Sequence, residues 1–110
     1  MKVLQYDHQD VRVVEFDGRM DATSTDDFIK VLQQAQHDGR YTVVMDMSKV
    51  NYMNSQTLHL LIQALKDNRD NGGDVRFAHL SPVVQRIFEI IGLRQQVKSY
   101  PSIETALKGI

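Results

Sequence analysis

The chain has 110 residues, a length typical of one domain with its own hydrophobic core. Hydrophobic residues make up 42% and charged residues 25%, as in soluble globular proteins. The net charge of −1 gives no basic surface for nucleic acid or an anionic membrane, and the absence of cysteine excludes disulfides and thiolate zinc sites. The first ten residues lack a signal-peptide stretch, and apolar runs are too short to span a membrane. We therefore expect a single cytoplasmic domain over residues 1–110.

The first third of the chain predicts a β-hairpin followed by a helix. VRVVEF (11–16) is typical of a strand that ends at Asp17-Gly18, and VLQY (3–6) is its predicted partner across the turn DHQD (7–10). A helix follows DATST, with Thr23 or Ser24 as its cap and Gly39 at its end. Its apolar positions recur with helical spacing, at Phe28, Val31, Leu32 and Ala35.

The middle of the chain predicts a buried strand and a second helix. YTVVMDM (41–47) shows little alternation, which is expected of a strand that is covered on both faces. The second helix begins at or near Ser55 and ends around DNRDNGG (67–73). Its predicted inward stripe consists of Leu58, Leu61, Ile62 and Leu65.

The last third predicts two further strand–helix pairs. DVRFAHL (74–80) is a predicted strand, and Ser81-Pro82 opens a helix that Gly92 ends. The inward positions of this helix are Val84, Ile87, Phe88 and Ile91. QQVKSY (95–100) is a predicted short strand, and PSIETALKGI (101–110) is a closing helix. One face of the closing helix carries Ile103, Ala106 and Leu107.

The predicted element order is β-β-α-β-α-β-α-β-α, which defines an α/β fold with a mixed, mostly parallel sheet. Strands that are separated by a helix pair in parallel through right-handed crossovers, so only the first strand is antiparallel. Open α/β sheets carry their sites beyond the carboxyl ends of the strands. Ser55 lies just past the carboxyl end of a predicted strand and is therefore a candidate site residue.

Ser55 stands in NYMNSQTLHLL (51–61), where a hydroxyl can cap a helix or receive chemistry. Either Asn54 or Ser55 can accept from the free N–H groups of the first turn, which is worth about 1 kcal/mol. The same N–H groups and the positive end of the helix dipole would accommodate a phosphate on Ser55. Capping and modification are thus compatible at this junction.

A serine-hydrolase site is not favoured, although His59 follows Ser55 by four residues and Asp46 is near in sequence. A nucleophile elbow needs glycines beside the serine, and here the flanking residues are Met53 and Thr57. No third group orients His59 as a base. The histidines at positions 8, 37 and 79 lack metal-ligand spacing, so we expect no catalytic residue, metal or cofactor.

Four segments, in order, resemble the STAS domains of small bacterial anti-sigma factor antagonists. They are VRVVEFDGRMDATST (11–25), YTVVMDMSKVNYMNSQTLHLL (41–61), NGGDVRFAHLSPVVQRIFEIIGL (71–93) and SIETAL (102–107). The resemblance covers nearly the whole chain and implies helices packed against a mixed sheet. In this family a kinase of the histidine-kinase-like ATPase type phosphorylates a serine at the start of the second helix, which prevents the antagonist from binding that kinase. A metal-dependent serine phosphatase restores binding.

Carried over residue by residue, the resemblance places Ser55 at the family's phosphoserine position, in a stretch like D-S-[ST]-G-L. Asn54 stands where aspartate is usual, which removes a charge and keeps a capping oxygen. Thr57 stands where glycine is usual, which adds a β-branched side chain beside the acceptor. Asp21 in GRMD matches an aspartate that the family has in a loop near this serine. The resemblance implies a partner-binding surface made of Asp21, Asn54, Ser55, Gln56 and Thr57.

Two functions follow from this resemblance, and neither is enzymatic. The first is a phosphorylation-switched antagonist in a partner-switching pathway of transcription regulation, with an anti-sigma factor kinase and a serine phosphatase as partners. The second is an interaction or scaffold module that is never phosphorylated. Retention of Ser55 favours the first, whereas Asn54 and Thr57 favour the second. The sequence leaves a homodimer open and predicts no contact with nucleic acid or membrane.

Overall fold

A computed structural model describes residues 1–92 and 95–108 of the chain. Within these ranges the strands and helices follow the predicted order. The strands are β1 (Lys2–His8), β2 (Val11–Met20), β3 (Thr42–Met53), β4 (Asp74–Ala78) and β5 (Lys98–Tyr100). The helices are α1 (Thr25–His37), α2 (Ser55–Asp70), α3 (Pro82–Ile90) and α4 (Ile103–Leu107).

The strands form one mixed sheet in the order β1-β2-β3-β4-β5. β1 pairs with β2 in the antiparallel direction, and each later strand pairs in parallel with the one before it. This arrangement confirms the predicted fold class. It follows from the connections, because a short turn joins only antiparallel strands and a helical crossover joins parallel ones.

The hairpin turn is shorter than predicted. The ladder between β1 and β2 continues through Asp7↔Arg12 and His8↔Val11, so Asp7 and His8 belong to the strand. Only Gln9 and Asp10 remain in the turn, and Gln9 has a positive φ of 56°. Two-residue hairpin turns need positive φ because their twist must match that of the strands.

β2 and β3 are both longer than their predicted segments. β2 passes Asp17-Gly18 with two register shifts and ends at Met20, and β3 continues six residues beyond Met47 to Met53. The exposed polar residues in these extensions obscured the pattern, whereas Val50 and Met53 are buried. The extension of β3 ends immediately before the junction that contains Ser55.

Two hydrophobic clusters cover the two faces of the sheet. The larger one joins α1, α2 and α3 to Val14, Phe16, Val43, Met45, Val75 and Phe77. The smaller one joins α4 to Val11, Val13, Val44 and Ala78. Neighbouring residues of a strand point to opposite faces, so the fully buried pair Val13 and Val14 contributes to both clusters.

The helical faces agree with prediction in α1 and differ in α2. In α1, Phe28, Val31 and Ala35 are buried as expected, and Leu32 packs against the core. In α2, Leu61 and Leu65 are buried, but Ile62 is 40% exposed. The buried face of α2 instead includes Thr57, Ala64 and Asn68. The prediction was wrong about Ile62 because polar residues and a small residue occupy inward positions.

Ser81 caps α3 through its side chain, whereas Ser24, at the N-cap position of α1, does not. Ser81 caps α3 as predicted, because its Oγ accepts from the N–H of Val84 at 3.3 Å. Ser24 occupies the N-cap position of α1 but makes no side-chain cap bond. Its Oγ accepts from the N–H of Asp21 at 3.0 Å and donates to the carbonyl oxygen of Arg19 at 2.7 Å. Ser24 therefore stabilises the loop before the helix.

From β4 onwards, the strands and the last helix are shorter than predicted, and one predicted core residue is exposed. Ile91 is 45% exposed at the C-cap of α3, so its predicted inward position is wrong, while Val84 and Phe88 are buried. β4 ends at Ala78, and β5 covers only three residues of the predicted 95–100 segment. α4 covers five residues, with Ala106 buried. The last two residues of the predicted closing helix lie outside the described ranges.

A buried arginine joins the hairpin to the end of α1. Arg12 is only 7% exposed and donates to the carboxylate of Asp7 and, at 2.8 Å, to Oδ2 of Asp38. These hydrogen bonds from Arg12 are the main cause that lowers the pKa of Asp7 and the pKa of Asp38 below their ordinary value of 3.8. Both carboxylates therefore stay ionised in the folded protein at mildly acidic pH.

We expect this network to make the protein sensitive to acid. A carboxylate with a lower pKa in the folded state stabilises the fold above its unfolded pKa, and this stabilisation is lost as the pH falls through the folded pKa. Urea unfolding at pH 7 and pH 3 should show a smaller difference for Arg12→Met than for wild type. An unchanged difference would show that Arg12 does not control the acid response.

Candidate functional site

The carboxyl ends of β2 and β3 lie side by side and bring two loops together. Met20 pairs with Met53, and the N–H of Asn54 donates to the carbonyl oxygen of Met20 at 2.9 Å. The loop that begins at Asp21 therefore lies next to the start of α2, which begins at Ser55. This geometry brings Asp21 and Ser55 to one edge of the sheet, as the family resemblance implies.

Asn54 caps α2, which settles the choice between Asn54 and Ser55. Its Oδ1 accepts from the N–H of Thr57 at 2.9 Å and from the Thr57 hydroxyl at 2.8 Å. Asn54 has extended backbone angles, with φ −84° and ψ 169°, as an N-cap residue requires. Ser55 is therefore the first helical residue and has no capping role.

Ser55 is exposed, and its hydroxyl makes no hydrogen bond to any residue that the structure describes. Ser55 and Gln56 both face solvent at the first turn of α2. Within residues 1–92 and 95–108, no group donates to or accepts from the Ser55 side chain. The first turn of α2 contains no acidic residue, so its N–H groups and helix dipole are not offset by a carboxylate. An anionic group on this hydroxyl would lie in a favourable field.

Thr57 is buried, whereas Ser55 and Gln56 before it are exposed. Its side chain is only 1% exposed and its hydroxyl points to Asn54. The structure therefore does not bring the Thr57 side chain to the surface beside Ser55 and Gln56. Thr57 therefore stabilises the cap through the hydrogen bond from its hydroxyl to Asn54.

We expect Asn54→Ala to lower the free energy of unfolding by about 1–2 kcal/mol, because Thr57 loses the acceptor for both of its donors. Urea unfolding monitored by circular dichroism measures this change. Gln56→Ala is the matched control, because Gln56 is exposed two positions further along and makes no cap bond. Equal losses in the two variants would contradict the capping role of Asn54.

Asp21 organises its loop and keeps a negative charge at the sheet edge. Its Oδ1 accepts from the hydroxyl of Thr23 at 2.6 Å and from the N–H of Thr23 at 3.0 Å. The hydrogen bond from the Thr23 hydroxyl is the largest cause that lowers the pKa of Asp21. The backbone carbonyl oxygen of Asp21 also accepts hydrogen bonds from the N–H of Ser24 and the hydroxyl of Thr25, both at 3.1 Å. Asp21 is half-buried, so its side chain both shapes the loop and reaches solvent.

Asp46 and His59, the residues considered for a hydrolase site, do not form a catalytic arrangement with Ser55. Asp46 is 6% exposed, and its Oδ1 accepts from the N–H of Ser48 at 2.9 Å, which fixes the carboxylate on its own strand. His59 is exposed on α2. Neither side chain makes a hydrogen bond to Ser55 in the part of the chain that the structure describes.

Sequence reasoning missed two contacts at this edge. Arg19 lies over the ring of Tyr52, with the guanidinium carbon 4.3 Å from the ring centroid. The hydroxyl of Ser81 donates to the carbonyl oxygen of Val50 at 2.6 Å and so fixes the start of α3 to the end of β3. Both contacts involve the extensions of β2 and β3, which the pattern of the sequence did not predict.

The described residues, 1–92 and 95–108, contain no cluster of three histidine or carboxylate side chains suited to a metal ion. No helix in these ranges combines the length and apolar character needed to cross a membrane. Fold and site together define a small α/β domain that presents an exposed serine at the start of a helix.

The family model of the STAS domain matches residues 3–106. The chain therefore belongs to the STAS domain family, which confirms the resemblance drawn from the sequence. A curated relative, the anti-sigma-B factor antagonist of Staphylococcus epidermidis, is 28% identical over 87 residues, which cover 79% of this chain and 81% of the relative.

Two solved structures share the fold. The crystal structure of an anti-sigma factor antagonist from Mycobacterium paratuberculosis matches with a TM-score of 0.85 and 24% identity, over 96% of this chain and 90% of that one. The phosphorylated form of the Bacillus cell fate determinant SpoIIAA matches with a TM-score of 0.74 and 15% identity, over 94% of this chain and 96% of that one. At these identities the likeness concerns the fold alone.

Proposed function

We propose that this protein is an anti-sigma factor antagonist and that phosphorylation of Ser55 switches its binding to an anti-sigma factor kinase. The observation that carries the proposal is the environment of Ser55. Its hydroxyl is exposed, has no partner among the described residues and lies at the first position of α2, while Asn54 supplies the cap. A kinase can therefore reach the hydroxyl without breaking a hydrogen bond to any described residue.

The relatives support the partner class. The curated relative is named as an antagonist of an anti-sigma-B factor, and the SpoIIAA structure is of a phosphorylated protein with the same fold. By the family resemblance, the kinase would be of the histidine-kinase-like ATPase type, a serine phosphatase would remove the phosphate, and the exchange would take place in the cytoplasm. The protein would act by binding, not by catalysis.

The proposed partner-binding surface consists of Asp21, Asn54, Ser55, Gln56 and Thr57, of which all but Thr57 are exposed or half-buried. Ser55 and Gln56 are exposed at the start of α2, and Asp21 is half-buried in the adjacent loop. Asn54 and Thr57 stabilise this surface through the cap. The side chain of Thr57 would act from within, because it is only 1% exposed.

Phosphate transfer tests this proposal directly. Each serine kinase of this type from the source organism is incubated with the protein and ATP, and the product is weighed by mass spectrometry. We expect one phosphate on the wild-type protein and none on Ser55→Ala. Thr57→Ser keeps the hydroxyl that donates to Asn54 and serves as a control that should be phosphorylated at the same rate. No phosphate on the wild-type protein with any kinase would contradict the switch.

A second function, a STAS interaction module that is never phosphorylated, is favoured by one observation. Asn54 stands where the family usually has aspartate, so the site lacks a negative charge beside the acceptor. If that charge is what the kinase recognises, Asn54→Asp should be phosphorylated whereas wild type is not. The carboxylate introduced by this substitution would accept the same two bonds from Thr57, so the fold should not change.

A further inference from the structure

Arg19 and Tyr52 form a small exposed patch, the Arg19–Tyr52 patch. The Arg19 guanidinium lies over the face of the Tyr52 ring at 4.3 Å, where cation and ring attract each other. The Arg19 side chain is 59% exposed and Tyr52 is 39% exposed. Both residues therefore remain accessible to another molecule.

The strand ends place this patch beside the surface around Ser55. Arg19 precedes Met20 and Tyr52 precedes Met53, and the two methionines pair with each other and are buried. Side chains alternate along a strand, so Arg19 and Tyr52 point away from the core that holds the methionines. The Nε of Arg19 lies 3.7 Å from Oδ2 of Asp21, which belongs to the proposed partner-binding surface, so the patch adjoins that surface.

The guanidinium of Arg19 keeps most of its hydrogen-bonding capacity. Its Nε lies 3.7 Å from Oδ2 of Asp21, which is an ion pair but longer than a hydrogen bond. Among the described residues, no carboxylate or carbonyl oxygen accepts a hydrogen bond from the Arg19 side chain. The ring of Tyr52 and the charge of Asp21 hold the guanidinium in place in advance, which reduces the entropy that binding would cost.

We propose that the Arg19–Tyr52 patch is a second anchor of the partner-binding surface and takes a carboxylate side chain of the anti-sigma factor kinase. This inference rests on the proposed function. The planar guanidinium offers two parallel N–H groups to one carboxylate, and the Tyr52 ring offers an apolar surface beside it. Arginine and tyrosine are also enriched among the few residues that dominate binding energy at protein interfaces.

Titration calorimetry with the kinase that phosphorylates the wild-type protein tests the anchor. We expect Arg19→Glu to weaken binding by at least about 30-fold and Tyr52→Ala by about tenfold. Lys49→Glu is the matched control, because it makes the same change of charge at an exposed position of β3, three residues before Tyr52. Binding of the Lys49→Glu variant should stay within about threefold of wild type. Thermal unfolding checks that each variant is folded, and Arg19→Gln replaces Arg19→Glu if the latter is not.

Three other outcomes of these titrations would contradict the proposed anchor. Equal weakening by Arg19→Glu and Lys49→Glu would show a long-range charge effect and no specific contact. Wild-type affinity of Arg19→Glu and Tyr52→Ala, together with lost binding of Ser55→Asp, would overturn the anchor and leave the proposed function intact. If no kinase binds or phosphorylates the wild-type protein, the proposed function fails and the anchor fails with it.

Discussion

Replacing Leu61 by alanine is expected to lower the free energy of unfolding by about 2–5 kcal/mol, a large share of the stability of a small domain. Leu61 is 3% exposed and belongs to the cluster that joins α2 to the sheet. Its removal would leave a cavity that the neighbouring side chains fill only in part. Urea unfolding of the two proteins measures the difference.

Ile62→Ala provides the matched control for this substitution. Ile62 is the next residue of α2, but its side chain is 40% exposed. We therefore expect Ile62→Ala to cost less than half as much as Leu61→Ala. A larger loss for Ile62→Ala would mean that α2 is rotated relative to the described structure.

Replacing Ser55 by aspartate is expected to weaken kinase binding about a hundredfold or more while leaving thermal stability close to wild type. The added charge lies at the N-terminus of α2, where the helix dipole favours it, so the fold should not suffer. Binding should fail because the interface would have to desolvate a charge and place it against groups that fit a neutral hydroxyl.

Ser55→Ala separates charge from the loss of the hydroxyl. This variant should bind the kinase within a few-fold of wild type and should not accept phosphate. Calorimetric titration of both variants, with thermal unfolding as a check of folding, gives the comparison. If Ser55→Ala loses binding as strongly as Ser55→Asp, the hydroxyl itself is needed and a charge-based switch is wrong.

The order of the elements could be predicted from the sequence, because each element has a strong local signal. The paired valines Val43-Val44 predict a strand covered on both faces, and the structure buries both. Ser81 before Pro82 marks the start of α3 correctly. Local chemistry determines such features, so they do not depend on distant contacts.

The extents of β2 and β3 could not be predicted, because tertiary pairing produces them. Lys49 and Asn51 are exposed and polar, yet the backbone around them pairs with β2 as far as Met53. The contact between Arg19 and Tyr52 depends on this pairing and was missed with it. The family resemblance placed Thr57 in the partner-binding surface, whereas its side chain is buried. This burial could not be predicted, because it depends on the hydrogen bond to Asn54 and on the rotation of α2 about its axis.

The candidate site was only partly predictable for the same reason. The family resemblance predicts that Asp21 and Ser55 lie close together, and the structure brings both loops to the same edge of the sheet. The division of roles between Asn54 and Ser55 was left open, because both side chains can cap a helix. Their roles differ only through the start of α2, which the fold places at Ser55.

The most direct test of the switch compares the protein with and without phosphate on Ser55. The kinase product is purified, its phosphate is located by mass spectrometry, and both forms are titrated calorimetrically against the same kinase. We expect the phosphorylated form to bind at least about a hundredfold more weakly, and treatment with a serine phosphatase to restore the original affinity. Equal affinity of the two forms would contradict the claim that Ser55 controls partner binding.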